Sequence, residues 1–152
     1  MRTESRSPAA ARPQAPWTEP ERWGALGDLA ATEPLPLVVR GSCMAPLVPD
    51  GARIEVRRRR FLLPGEIVAF LSPSGLLLTH RFLGYTWRRG VRLVTQADRG
   101  TQRDALVEPA RVLGRLCGGE VSPAALRPSW RDRLRAVRAW ARTHWHYFRR
   151  SR

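Results

Sequence analysis

From Thr18 onward the chain passes through three hydrophobic patterns, and each predicts a different kind of element. Trp23, Leu26 and Leu29 recur every three residues behind a capping-box-like start at Thr18, Pro20 and Glu21, which predicts one short amphipathic helix ending near Thr32. Pro34 and Pro36 then force an extended path. Six short β-like runs follow at residues 37–40, 53–57, 66–71, 76–83, 91–96 and 111–116. They are divided by turn residues at Pro46, Asp50-Gly51, Pro64-Gly65, Ser72 to Gly75, Arg89-Gly90 and Arg99-Gly100. This number and spacing predict a compact, mainly β domain of coiled-sheet or barrel type.

The end of the chain changes period again. Trp130, Leu134, Val137, Ala141, Trp145 and Phe148 recur at three or four residues with Arg between them, the pattern of a basic amphipathic helix. Residues 1–17 are rich in Pro, Ala, Arg and Ser without any period and read as a disordered tail. The expected organisation is therefore a tail over 1–17, a helix and Pro-containing linker over 18–36, a β domain over 37–120 and a C-terminal helix over 121–152.

Composition narrows the chemistry. The 152 residues allow one ordinary domain plus tails. All 27 basic residues are Arg, set against 13 acidic ones for a net charge of +14, and there is no lysine. Schiff-base chemistry, a P-loop lysine and any Ser-Lys or Cys-Lys dyad are thereby excluded. The excess favours contact with phosphates, anionic lipid heads or acidic peptides. Two cysteines, Cys43 and Cys117, are too few for a disulfide scaffold, and the N-terminus has no apolar signal stretch. No apolar run approaches the roughly 18–20 residues of a membrane span. The expectation is a cytoplasmic protein, peripheral at most to the inner membrane face.

Three segments carry candidate chemistry. Gly41-Ser42-Cys43-Met44-Ala45-Pro46 puts a thiol on a constrained turn, where Gly41 and Ser42 offer backbone N–H groups for an oxyanion. His80, in Leu78-Thr79-His80-Arg81, is the only histidine of the β region and the natural base for that thiol. Asp98 and Asp104 follow the 91–96 run, and either could fix the tautomer of His80. Met44, Pro46 and Arg81 flank these positions as candidates for a substrate groove. No cofactor or metal is expected, since His144 and His146 lack companion ligands.

In order, Gly41-x-Cys43-Met44-x-Pro46, Asp50-Gly51, Pro64-Gly65-Glu66-Ile67-Val68-Ala69-Phe70, His80-Arg81, the two aspartates and Val112-x-Gly114 resemble the signal peptidase superfamily, which also contains the self-cleaving SOS repressors. The likeness runs from about Val38 to Leu116, roughly half the chain. In that superfamily the nucleophile is normally Ser, paired with Lys in bacterial members and with His in archaeal and endoplasmic-reticulum members. This chain resembles the His branch, with Cys43 at the nucleophile position and His80 at that of the base. The resemblance implies a signal-peptidase-like catalytic domain and an endopeptidase that cleaves a peptide or precursor protein. Without a transmembrane anchor, a cytoplasmic maturation or leader-processing role is expected.

A catalytically inactive peptide-binding module of the same fold is the alternative, with Cys43 incidental. Nucleic acid is disfavoured because no helix-turn-helix, aromatic RNA platform or zinc spacing accompanies the charge. From Arg127 onward nine Arg stand against one Asp among several aromatic residues. That composition suits an anionic membrane surface over residues 127–152, and packing of the helix on the β domain stays open beside it.

Overall fold

The computed structural model describes residues 19–87, 90–100 and 104–149. The tail over 1–17 and the Thr18 start lie outside them. Helix α1 spans Glu19–Thr32, followed by strands β1 Leu35–Val38, β2 Arg53–Arg57, β3 Ile67–Leu71, β4 Leu77–Thr86, β5 Arg92–Gln96 and β6 Val112–Gly119. Helix α2, Pro123–Leu126, and helix α3, Trp130–Arg149, close the chain. The strands form one antiparallel sheet in the order β1-β2-β6-β3-β4-β5. The fold is mainly β, but the sheet does not close into a barrel. β1 is only four residues long, and the outer edge of β5 is occupied by the segment after it, through a bridge between Leu93 and Val107. The occupied edge of β5 is therefore not open to β1.

Burial follows the patterning. In β2, Ile54 and Val56 are buried while Arg53, Glu55 and Arg57 are exposed, the alternation of a half-buried strand. In β3 the continuous run Ile67-Val68-Ala69-Phe70 is buried on both faces. One core gathers Ile54, Val56, Ile67, Ala69 and Leu113 under α1 and α2, and a second gathers Val68, Phe70, Phe82, Leu93 and Val107. The first strand begins two residues earlier than its pattern predicts, with Pro36 accommodated on the edge strand of the sheet.

Helix α3 lies on β4. It starts at a reciprocal cap in which Ser129 N and Oγ donate to Asp132 Oδ2 at 2.9 and 2.6 Å and Asp132 N donates back to Ser129 Oγ at 3.2 Å. Those bonds hold the Asp132 carboxyl below its ordinary value. Further along, Ala136 packs against Leu83 and Val94, and Trp140 Nε1 donates to Tyr85 O at 2.8 Å. Gly84 makes this approach feasible, because a Cβ there would stand 2.6 Å from Trp140 Cδ1. Gly84→Ala is therefore expected to destabilise the fold by roughly 1–3 kcal/mol through overpacking, read as a lower urea midpoint at unchanged slope. A loss under about 0.5 kcal/mol would mean that α3 is not held at this contact.

Candidate active site

The turn carrying Cys43 is the long connection of the β1–β2 hairpin. Its base is pinned by Val39 N to Ala52 O at 2.9 Å and Gly51 N to Val39 O at 3.0 Å. Gly41 sits at φ 91°, a left-handed backbone open to glycine, and its N–H donates to Asp50 Oδ1 at 2.7 Å. The Gly41 amide is therefore committed and cannot serve an oxyanion. Ser42 is exposed, and its carbonyl accepts from Ala45 N at 3.1 Å. The amides of Cys43 and Met44, one step on, face the sulfur, and no backbone oxygen accepts from them among the described residues. Met44 is fully buried in the first core, which removes it from the expected groove and makes it the anchor of the turn.

His80 is buried in β4, opposite Val68 of β3, with the ring of Phe70 edge-on at 5.8 Å. After β5 the chain doubles back along it, through Asp104 N to Thr95 O at 3.3 Å and the Leu93–Val107 bridge. This return brings Asp104 Oδ2 to 2.6 Å from His80 Nδ1, and Thr95 Oγ1 donates to the same oxygen at 2.7 Å. An ionised carboxylate only accepts, so Nδ1 carries the proton and Nε2 is the basic nitrogen.

Of the two candidate aspartates, Asp98 has another occupation. In the β4–β5 register Arg81 faces Gln96, and Asp98, two residues on, receives Arg81 Nε and Nη2 at 2.6 and 2.5 Å. Arg81 Nη1 also donates to Gly65 O at 2.7 Å. The pair fixes the loop beside the site, and Arg99 N donates to Cys43 O at 2.9 Å to tie that loop to the cysteine turn. Asp98 is thus committed to Arg81, and it is Asp104 that meets His80.

Cys43 is half-buried, and its Sγ–H donates to Thr79 O at 3.7 Å, one residue before His80. No hydrogen bond joins Sγ to the His80 ring among the described residues. Burial pushes the thiol above its ordinary value, the amides of Cys43 and Met44 oppose this, and the charges of Asp104 and Asp98 add to the rise. Cys43 therefore rests as a thiol. Cys117, also unpaired, donates from Sγ to Glu55 O at 3.4 Å and is half-buried, not fully buried as a core thiol would be.

Beside the cysteine turn a cavity of about 370 Å³ is lined by Ala45, Pro46, Arg81, Asp98, Ala136 and Arg142, among others. Pro46 and Arg81 thus lie where a groove was expected, and α3 supplies the opposite wall. A second cavity of about 540 Å³, lined by Arg58, Phe61, Tyr85 and Trp87, reaches Val112 and Gly114 of the motif but none of the candidate catalytic residues. Thr95 and the α3 wall escape a reading of the sequence. The only signal for Thr95 is a hydroxyl directly after the apolar pair Leu93-Val94 of the strand run. No protein-family model matches the chain, and no curated protein matches it either.

With Cys117→Ala removing the second thiol, alkylation of Cys43 by iodoacetamide is expected to rise with pH through a midpoint above the ordinary thiol value of about 8.5. Asp98→Asn removes one of the lesser causes and should lower that midpoint only slightly, since burial leads. A midpoint below about 8 would show a stabilised thiolate instead.

Proposed function

We propose that the chain is a Cys-His endopeptidase of signal-peptidase-like type, acting on a peptide or precursor protein. The observation that carries this reading is the pair of buried His80 and half-buried Asp104 at 2.6 Å, next in β4 to Thr79, whose carbonyl accepts from the Cys43 sulfur. In the reaction Sγ leaves Thr79 O and gives its proton to His80 Nε2 as it bonds the peptide carbonyl carbon. The amides of Cys43 and Met44 receive the oxyanion, and His80 returns the proton to the departing amine. Water, deprotonated by His80, then hydrolyses the thioester. Because the thiol rests protonated, His80 acts as a general base during attack, as it would for a hydroxyl nucleophile. The extended substrate enters the cleft bounded by Pro46, Arg81 and Arg142. Two free thiols suit a reducing, cytoplasmic setting.

A specific observation favours the second reading, an inactive peptide-binding module. Sγ is turned to a carbonyl and its acidity is weakened by its surroundings.

Incubation of the protein with a proteome-derived peptide mixture, followed by mass spectrometry of new N-termini, separates the two. Wild type and Cys117→Ala should generate the same new termini, and Cys43→Ala and His80→Ala none. Asp104→Asn should lower turnover by roughly two to four orders of magnitude, because the carboxylate that sets the tautomer is lost. Identical termini from Cys43→Ala would end the peptidase reading. Peptides retained without cleavage by wild type would favour the binding module.

A further inference from the structure

Helix α3 divides into three lengthwise faces. One is buried on the sheet through Ala136, Ala139, Trp140 and Thr143. A second, at positions 130, 134, 137 and 141, is the apolar stripe, and the protein leaves it uncovered: Trp130, Leu134 and Val137 are 69, 39 and 44 % exposed. The third, at positions 131, 135, 138 and 142, is all Arg and exposed. At 100° per residue these two outer faces are adjacent arcs of one cylinder. The first turn of α3 is seated on the loop of residues 61–65, where Arg133 Nη1 donates to Pro64 O at 3.2 Å. That loop leaves Phe61 and Leu63 71 and 52 % exposed.

We propose that the outer side of α3 docks on an anionic lipid bilayer, with the Trp130–Leu134–Val137–Ala141 stripe in the headgroup boundary and the arginine arc against the lipid phosphates. Charge and apolarity together select this occupant. A nucleic acid would engage the arginines and leave the stripe in water. A second copy of the helix would cover the stripe but bring arginine against arginine. A bilayer interface accepts both faces at once, as interfacial helices with segregated aromatic and basic sides do. The inference is independent of the chemistry at Cys43. It adds that the cleft, whose wall includes Ala136, Arg135 and Arg142, would open beside the lipid surface.

Co-sedimentation of the full chain with vesicles tests it, comparing phosphatidylcholine alone with an equal mixture of phosphatidylcholine and phosphatidylglycerol. Wild type should sediment with the mixed vesicles and stay in solution with the neutral ones. Combined Trp130→Ala, Leu134→Gln and Val137→Gln should weaken binding roughly tenfold or more. Combined Arg131→Gln and Arg138→Gln, at positions outside the cleft, should weaken it roughly 25-fold, about fivefold for each arginine. All of these side chains are exposed, and an unchanged circular dichroism spectrum checks that both variants stay folded. Absence of wild-type binding to the mixed vesicles would overturn the proposal. So would binding that the apolar substitutions leave intact, or a concentration-dependent dimer, lost in the apolar variant, in place of vesicle binding.

Discussion

The contact between His80 Nδ1 and Asp104 Oδ2 exists because the chain doubles back along β5, and much of the domain depends on that return. Asp104 N on Thr95 O and the Leu93–Val107 bridge occupy the hydrogen-bonding edge of β5, which would otherwise offer itself to another strand. The same few residues bring Val107 into the core with Phe82 and Leu93. Protection of an edge, completion of a core and delivery of a carboxylate to a buried imidazole are one structural event. Slippage by a single residue would turn the carboxylate to the other side, since side-chain direction along an extended chain alternates.

That carboxylate acts on its two neighbours in opposite senses. It fixes the imidazole proton on Nδ1 and leaves Nε2 free to accept, which favours a histidine base. Its charge also disfavours a thiolate at Cys43, in the same direction as burial and Asp98. The amides of Cys43 and Met44 oppose the rise without overcoming it. Such an environment suits a nucleophile that loses its proton only during attack, the regime of a hydroxyl, more than a stored thiolate–imidazolium pair. Under the proposed peptidase reading, a cysteine in such surroundings would attack with the nucleophilicity of sulfur but without a resting thiolate.

Much of this architecture was legible from residue patterning. The Arg53–Arg57 alternation, the Ile67–Leu71 apolar run and the Trp130–Arg149 period each found the element they predict, the two strands because their patterns encode their own burial and the helix through its period alone. Barrel closure was not legible, because what covers β5 is a bridge around Val107 with no strand pattern of its own. The choice between Asp98 and Asp104 was equally hidden. It is made by the β4–β5 register, which sets Arg81 against Gln96 and so gives Asp98 to the guanidinium. Met44 misled because adjacency to Cys43 suggests a shared groove, whereas a turn closed at its base directs one of the two neighbours into the core.

The period of α3 raises the same point in another form. A spacing of three and four residues announces an apolar stripe but not which face meets the sheet, and here the sheet takes a different one. Ala136 and Ala139 allow close approach, Gly84 admits the Trp140 ring, and Trp140 Nε1 finds Tyr85 O. With the helix held by these contacts, Trp130, Leu134 and Val137 leave apolar area exposed to water. In the proposed docking an external surface would cover them together with the arginine arc. Because Arg135 and Arg142 of that arc also line the cleft next to the Cys43 turn, any such surface would lie beside that cleft.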